Sequence, residues 1–381
     1  MIKIKSDKII IGESIFNGYI YIDNDKIVEV SKVDKPSQEF YDYTGKYVSA
    51  GFIEVHTHGA GGYSFINNTV EDVIKACEHH LCHGATSILP TVTTAPFSVM
   101  KEGVINISKA KRLNKCKSNI LGAHLEGPYL SPAQVGAQSP ENITEPKKED
   151  YIPLIEEYKD DIKRWTYAPE RDENGEFCKY LVKNGIIAST GHSNATYKDM
   201  KTAVENGMNM TTHLYSATST VTRNQGFRSL GVIESTFLMD EIYAEIIADG
   251  RHLPPELVKM IVKIKGKDKV IAVTDSMEIA GTDVKEGNLS GVEYVVEEGV
   301  CRLKDRSAFA GSIATCDRLV RVLTRECGFS TQDAVYMMTE TPAKLLGVNK
   351  GRIEKGKDAD IIVFDEDINV LNAFVMGKKV I

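Results

Sequence analysis

The chain has 381 residues, of which 42% are hydrophobic and 26% charged, a composition typical of a globular protein with a large apolar core. Its formal net charge of −7 argues against general binding to nucleic acid or to an anionic membrane surface, and no apolar stretch is long enough to span a membrane. The N-terminus alternates charged and apolar residues and lacks the pattern of a signal peptide, so we expect a soluble, cytoplasmic protein.

Short runs that alternate polar and apolar residues predict strands at both ends of the chain. Residues 1–50 contain IKIKSDKIII and YIYIDNDKIVEV, and the pair Asn24-Asp25 in the second run predicts a hairpin turn. Residues 351–381 contain the similar runs ADIIVFD and NVLNAFVMGKKVI. Because each end alone buries too little apolar surface to be stable, we predict that both ends meet in one small β-sandwich domain.

The middle of the chain, residues 51–350, alternates apolar strand-like runs with helix-like segments such as VEDVIKACEHHLCHG. Eight runs follow one another: SAGFIEVHTHG, ATSILPTVTT, NILGAHLEGPYL, RWTYAPE, GIIASTGHS, NMTTHLYSA, YAEIIADGRH and KVIAVTDSM. Parallel strands with helical crossovers give this pattern, and eight units predict a closed (β/α)8 barrel, although an open doubly wound sheet would give a similar one. Histidine, aspartate or glutamate follows seven of the runs, which favours the barrel because its strand ends converge on one mouth.

Residues that can bind a metal ion lie at these strand ends. His56 and His58 follow the first strand, and alternate residues of a strand point to the same face, so both imidazoles are expected in the barrel mouth. Glu126 follows the third strand and can bind one metal ion or bridge two. With His192 and His213 it gives three ligands and an open position, as in a catalytic site. These ligand types suit zinc, iron or manganese equally.

Several other polar residues at strand ends or on the first helix have more than one interpretation. Asp275 follows the last strand and can carry a proton from water to a leaving amine, or else cap a helix. His124 shares a strand face with the glutamate two positions later and fits a metal ligand or a residue that supports one. Glu170 fits a catalytic, structural or ion-pair role. His79 and His83 share a face of a helix expected outside the barrel, which favours a structural role.

Six motifs in chain order resemble those of the N-acetylglucosamine-6-phosphate deacetylase family in the amidohydrolase superfamily: HTHG, HLEGPYLSP, STGHS, THLYSA, IIADGRH and VTDSM. The segments FAGSIAT, TETPAKLLGV and GRIEKGKDADIIVFD extend the resemblance over nearly the whole chain. The resemblance implies a (β/α)8 barrel beside a small β-sandwich, usually in a homodimer. It also implies metal-dependent hydrolysis of the N-acetyl group of an amino sugar phosphate.

The resemblance further implies roles for individual residues. Glu126, His192 and His213 would bind one metal ion, and His56 and His58 would hold a second ion where two are present. The other matching positions are Asp275 as the catalytic acid and base, Arg223 and the backbone at Ser216 and Ala217 at the phosphate, and His252 at the sugar. In the mechanism expected from these residues, Gln138 or His124 contacts the acetyl oxygen. The family therefore implies one or two divalent ions per chain.

Three departures from the family pattern lie on the substrate side of the site. Gln138 stands where the family has histidine, Ser216 replaces an asparagine, and Asn224-Gln225 replace the two residues after the arginine. They leave open another N-acyl amino sugar or its phosphate, an N-acyl amino acid or a cyclic amide as the substrate. A non-catalytic binding protein on the same fold is a further alternative, against which the retained metal positions and Asp275 argue.

Overall fold

The computed structural model describes residues 1–289 and 292–381. Eight parallel strands pair in chain order: Phe52–Thr57, Ala85–Val92, Ala123–Glu126, Ile162–Tyr167, Ile187–Thr190, Met210–Thr211, Tyr243–Ile247 and Val270–Val273. A short strand, Asn119–Ile120, also pairs with the second of them. Just past the eighth strand, the Asp275 amide donates to the His56 carbonyl (2.9 Å) and the His58 amide donates to the Ser276 carbonyl (2.8 Å). These bonds bring the last strand to the first, and the predicted barrel is confirmed.

Helices follow the barrel strands and cover their outer faces. They are Val70–Cys82, Phe97–Leu113, Lys148–Tyr158, Glu176–Lys183, Tyr197–Glu205, Val232–Leu238, Pro255–Lys265, Cys316–Arg321 with a π turn at Val322–Glu326, Thr331–Met338 and Glu340–Leu346. Short 3-10 turns lie at Pro132–Gln134, Pro140–Asn142, Pro169–Arg171 and Lys267–Lys269. The first helix begins with a capping box, in which Thr69 accepts from the Asp72 amide and the Asp72 side chain accepts from the Thr69 amide. Among the described residues, no helix is long and apolar enough to cross a membrane.

The two chain ends contribute to one mixed sheet of eight strands. Its strands are Ile2–Ile11, Ser14–Asp23, Lys26–Ser31, Glu39–Asp42 and Tyr47–Ala50 from the N-terminus, and Ile361–Phe364, Val370–Val375 and Lys378–Lys379 from the C-terminus. The predicted hairpin at Asn24-Asp25 is present, with Asp23 opposite Lys26 and Asn24 in the left-handed region (φ 52°). The sheet lies within residues 1–50 and 351–381, and the division into this domain and a barrel domain of residues 51–350 stays a prediction.

The strand Ile361–Phe364 connects the two apolar cores. Ile361 and Val363 belong to the core of the terminal sheet, whereas Ile362 and Phe364 pack in a cluster with barrel residues such as Phe52 and helix residues such as Leu81. Successive residues of a strand face opposite sides, so one strand contributes to both cores.

Two small antiparallel sheets lie in the loops around the barrel. One is a hairpin of Thr222–Asn224 and Phe227–Ser229, and the other has the strands Glu286–Leu289, Val292–Glu297 and Val300–Leu303. A shorter ladder pairs Gly59–Ala60 with Tyr63–Ser64 beside the first barrel strand. The loops that carry these sheets belong to the end of the barrel at which the polar strand ends meet.

Candidate active site

Six polar side chains from five barrel strands converge at the C-terminal mouth of the barrel. They are His56, His58, Glu126, His192, His213 and Asp275, and none is more than 7% exposed. The first, third, fifth, sixth and eighth strands carry them. The structure therefore brings together every residue predicted as a metal ligand and the predicted catalytic acid and base.

Glu126 lies at the centre of this cluster. Its Oε1 is 3.2 Å from His192 Nε2 and 3.0 Å from His213 Nε2. Its Oε2 is 3.2 Å from His58 Nε2, and His56 Nε2 is 3.5 Å from Oε1. One carboxylate thus faces four imidazole nitrogens.

Asp275 contacts the two histidines of the first strand. Its Oδ1 is 3.4 Å from His56 Nε2 and 3.2 Å from His58 Nε2. A bridge and a turn follow Asp275 instead of a helix, so the interpretation of this residue as a helix N-cap is wrong.

Three of these residues have left-handed backbone conformations. The φ angles are 47° at His192, 28° at His213 and 46° at Asp275. Such angles are uncommon for residues other than glycine, and they cluster at functional sites, where the surroundings hold them in place. Here they turn each side chain inward just as its strand ends.

Hydrogen bonds to the far side of each ring orient three of the imidazoles. His192 Nδ1 donates to the Gln134 carbonyl (3.0 Å) and His213 Nδ1 donates to the Ser216 carbonyl (3.1 Å). His56 Nδ1 donates to Glu245 Oε1 (2.8 Å). Because Nδ1 donates in each ring, Nε2 is the nitrogen that remains to bind a metal ion at the centre of the site.

The donor atoms form two groups that could hold a metal ion. One is His56, His58 and Glu126, and the other is Glu126, His192 and His213; the ligand atoms within each group lie within 4.8 Å of one another. Among the described residues, the buried His56 Nε2 has no hydrogen-bond partner. A cation bound at this position would satisfy that nitrogen. Imidazole and carboxylate donors suit divalent transition metals, so the residues present fit such an ion.

The close charges shift the pKa values of the cluster. Burial raises the pKa of Glu126 and Asp275, but the facing histidines outweigh it, so the pKa of Glu126 falls well below its usual range and that of Asp275 falls to about 2. Burial lowers the pKa of His58, and hydrogen bonds to Asp275 and Glu126 outweigh it and raise that pKa to about 9. The histidines and carboxylates therefore favour opposite charges at close range.

A cavity of about 300 Å³ opens in front of the cluster. Glu126, Asp275 and the three histidines at positions 58, 192 and 213 form its floor, and apolar side chains line part of its wall. A cavity with an apolar wall and a few convergent polar groups is the usual form of a small-molecule site.

Four of the five predicted substrate residues line this cavity, namely Gln138, Ser216, Ala217 and His252. His252 Nδ1 donates to Asp249 Oδ2 (2.8 Å), which leaves its Nε2 for the cavity. Arg223 differs: it lies in the exposed hairpin of Thr222–Asn224 and Phe227–Ser229, outside the set of described residues that line the cavity.

Gln138 is held at both ends of its amide. Its Oε1 accepts from Thr93 Oγ1 (2.8 Å) and from the Thr94 amide (3.1 Å), and its Nε2 donates to Glu126 Oε2 (2.7 Å). The amide group has a second N–H, which is available for a ligand in the cavity.

Three residues whose roles the sequence left undecided form hydrogen bonds or ion pairs with neighbouring side chains or backbone. Hydroxyl groups of Thr91 and Thr166 occupy both ring nitrogens of His124 (3.1 and 2.7 Å), and its ring packs edge-on against that of His56 (centroids 4.7 Å), so it supports a candidate ligand and offers no free nitrogen itself. Glu170 accepts from the Ser193 hydroxyl (2.7 Å) and the Asn194 amide (2.5 Å), which fixes the loop after His192. Just past the first helix, His83 pairs with Asp317 (3.1 Å).

Sequence reasoning missed two kinds of residue at the site. Glu54, Arg164 and Glu245 are fully buried inside the barrel below the mouth, although charged residues in a strand usually indicate a solvated face. Tyr294, in the strand Val292–Glu297, and Phe309 line the cavity from segments that follow the last barrel strand. A charged residue within a strand predicted to be buried on both faces is the signal that could have identified the first three.

Comparison with known proteins agrees with the site. A model of the Amidohydrolase family matches residues 47–380. An N-acetylglucosamine-6-phosphate deacetylase of Haemophilus influenzae is 34% identical and covers 88% of this chain and 87% of its own. An N-acetylgalactosamine-6-phosphate deacetylase of Shewanella sp. is 31% identical, over 91% of this chain and 85% of its own.

The solved structures agree as well. The crystal structure of N-acetylglucosamine-6-phosphate deacetylase from Pasteurella multocida superposes with a TM-score of 0.92 at 32% identity and covers 99% of both chains. The resemblance drawn from the sequence motifs is thereby confirmed, as is the prediction of a hydrolytic enzyme. The chain belongs to the amidohydrolase family.

Proposed function

We propose that the chain hydrolyses the N-acetyl group of N-acetylglucosamine-6-phosphate to glucosamine-6-phosphate and acetate. The observation that carries the proposal is the cluster of Glu126, four histidines and Asp275, five of whose six members form the floor of one cavity. Similar proteins named as deacetylases of acetylated amino sugar phosphates support the choice of substrate.

The metal centre would use Glu126, His192 and His213 for one divalent ion and His56, His58 and Glu126 for a second. Zinc, iron and manganese all suit these ligands. When bound, such an ion polarises the acetyl carbonyl and makes a water molecule more acidic.

Asp275 carries the proton in this mechanism. Its carboxylate accepts a proton from the attacking water, whose oxygen forms a bond to the acetyl carbon. Asp275 then delivers that proton to the nitrogen as the carbon–nitrogen bond breaks, which releases the amine and acetate. The position of Oδ1, beside His56 Nε2 and His58 Nε2 at the cavity floor, supports this role.

Gln138 would stabilise the developing charge on the acetyl oxygen. The family histidine at this position is replaced here by an amide whose free N–H is oriented by three hydrogen bonds at its other atoms. A donor fixed in advance needs no reorganisation as charge develops.

The sugar phosphate would contact His252 and the turn at Ser216 and Ala217, all of which line the cavity. Arg223 is proposed for the phosphate from the resemblance, since its guanidinium suits bidentate phosphate contacts. The exposed hairpin of Arg223 lies outside the cavity of the single chain. We also propose that the protein is a cytoplasmic homodimer. Light scattering on the purified protein gives the oligomeric state directly.

Activity on three acetylated sugars tests the proposal. Protein stripped with a chelator and then reloaded separately with zinc, iron(II) or manganese is assayed on N-acetylglucosamine-6-phosphate, its unphosphorylated form and N-acetylgalactosamine-6-phosphate. We expect metal-dependent release of acetate, fastest from the first substrate. Faster turnover of the galactosamine compound would assign the chain to the other named activity, and no turnover of any substrate by metal-loaded protein would reject the proposal.

A further inference from the structure

A buried ion pair lies directly beneath the candidate metal centre. Arg164, on the fourth barrel strand, and Glu245, on the seventh, are both fully buried and in direct contact. Arg164 also donates to Thr212 Oγ1 (2.7 Å), Ser189 Oγ (3.2 Å) and the Val55 carbonyl (3.3 Å). Burying two charges costs free energy that their attraction often fails to recover, so stability alone gives little reason for the pair.

Glu245 contacts one histidine from each of the two candidate metal groups. Its Oε1 accepts from His56 Nδ1 (2.8 Å) and from the backbone amide of His213 (3.0 Å). Its Oε2 contacts Arg164, which fixes the plane of the carboxylate. The ring of His56 and the strand end at His213 thus share one rigid acceptor.

We propose that Glu245, held by Arg164, is a positioning residue that fixes His56 with its Nε2 toward Glu126 and thereby permits metal binding by the group His56, His58 and Glu126. The proposal rests on the metal centre of the proposed function. A carboxylate on the far nitrogen of a metal-binding histidine sets the tautomer, orients the ring and raises its basicity. Neither Glu245 nor Arg164 lines the cavity, so their effect on substrate is indirect.

Metal affinity measured without substrate tests the proposal. In Glu245→Gln the ring of His56 loses its carboxylate partner, and we expect the weakest bound zinc ion to bind about 10- to 100-fold less tightly in competition with a chromophoric chelator. The matched control is Glu54→Gln. Glu54 is equally buried and lies two residues before His56, but among the described residues it accepts from the backbone amides of His56 (2.9 Å) and Thr274 (3.0 Å) and from the Cys316 thiol (3.6 Å), and from no imidazole ring. This control should bind zinc as the unsubstituted protein does.

A second variant is needed if Glu245→Gln leaves Arg164 unpaired and so prevents folding. Arg164→Met/Glu245→Leu removes both charges together, which buried pairs often tolerate, and it also removes the acceptor from His56. We expect a folded protein, by circular dichroism, with at least a 10-fold loss of zinc affinity. Unchanged zinc affinity in a folded Glu245 variant, or an equal loss in the Glu54 control, would overturn the proposal. Normal zinc binding without any turnover would instead reject the proposed function alone.

Discussion

At the scale of single residues, Asp275 has the geometry that proton transfer needs. It is buried at the cavity floor, its backbone is left-handed (φ 46°), and its Oδ1 contacts two histidine Nε2 atoms. A carboxylate fixed between metal ligands and substrate can serve both the attacking water and the leaving nitrogen. The role proposed for Asp275 therefore depends on the charge of its carboxylate and not on its size.

Substitution Asp275→Asn tests this role because it keeps the shape and removes the proton acceptor. We expect kcat to fall about 100- to 10,000-fold, the usual contribution of a general acid or base. Zinc content, measured by mass spectrometry of the dialysed protein, should remain that of the unsubstituted chain. A variant that keeps near-full kcat with its metal bound would show that another group transfers the proton.

Gln138 allows a comparison with the residue that the family has at the same position. Gln138→Leu removes the amide donor from a residue that lines the cavity, and we expect a loss of about 100-fold in kcat, as for the removal of a donor from an oxyanion site. Gln138→His restores the family residue and should retain activity within about 10-fold. Steady-state kinetics on both variants test this expectation. A leucine variant as active as the unsubstituted protein would show that Gln138 has no role in the mechanism.

Some residues of the site could be predicted from the sequence and others could not. His56, His58, Glu126, His213 and Asp275 each follow an apolar run, and the barrel geometry makes such positions converge. The Glu245–Arg164 pair was not predicted, because its importance arises from a contact between strands four and seven that no local pattern encodes. The partners of His124, both threonine hydroxyls, were invisible for the same reason.

At the scale of elements, His80 ties the first helix to the end of the first barrel strand. Its Nε2 contacts Thr57 Oγ1 (2.9 Å) and the Gly59 carbonyl (3.2 Å), and Thr57 in turn contacts Ser276 Oγ (3.0 Å). The helix was expected outside the barrel, and it does pack there, but one of its histidines points inward and is fully buried. A helix residue therefore supports the segment between His56 and His58.

The burial of His80 predicts a dependence of stability on pH. Burial lowers its pKa from 6.5 to about 3, so between these values the unfolded chain binds a proton that the folded chain does not. Stability from this group is present above pH 6.5 and is lost as the pH falls below it. We expect the unsubstituted protein to lose about 1.5 kcal/mol more than His80→Gln between pH 6.5 and pH 5, by urea unfolding. Equal losses in the two proteins would show that His80 titrates normally.

The exposed hairpin of Thr222–Asn224 and Phe227–Ser229 carries two arginines opposite each other, Arg223 and Arg228. Within the described residues neither arginine has an ion-pair partner, and Arg228 donates to the Gly226 carbonyl (2.9 Å). Arg228 therefore serves as the control in a test of the phosphate role proposed for Arg223.

We expect Arg223→Met to raise KM for the phosphorylated sugar by about 10-fold or more, since a charged hydrogen bond contributes roughly 1.5–3 kcal/mol. The unphosphorylated sugar should be unaffected, and Arg228→Met should leave KM unchanged for both. Equal effects of the two substitutions in steady-state assays would show that the hairpin matters only as a structure or as a general positive charge.

At the scale of the whole molecule, the barrel and its strand order were predictable, whereas the coupling of the barrel to the terminal sheet was not. Apolar runs bounded by polar residues marked all eight barrel strands, and the two ends were expected to pair. The run ADIIVFD, however, is apolar at four consecutive positions, Ile361–Phe364, and such a run does not reveal what each face contacts. In the structure the two faces belong to different cores.

This shared strand predicts that the sheet and the barrel unfold together. Phe364 is fully buried, stacks on Tyr47 with ring centroids 5.3 Å apart, and packs in the barrel-side cluster. Phe364→Ala should lower the free energy of unfolding by about 3–5 kcal/mol and shift one cooperative thermal transition seen by calorimetry. Leu371→Ala, on the neighbouring strand and 39% exposed, is the control and should change stability by less than about 0.5 kcal/mol. Two separate transitions, of which Phe364→Ala shifts only one, would instead show that the chain ends form a domain whose stability is independent of the barrel that holds the active site.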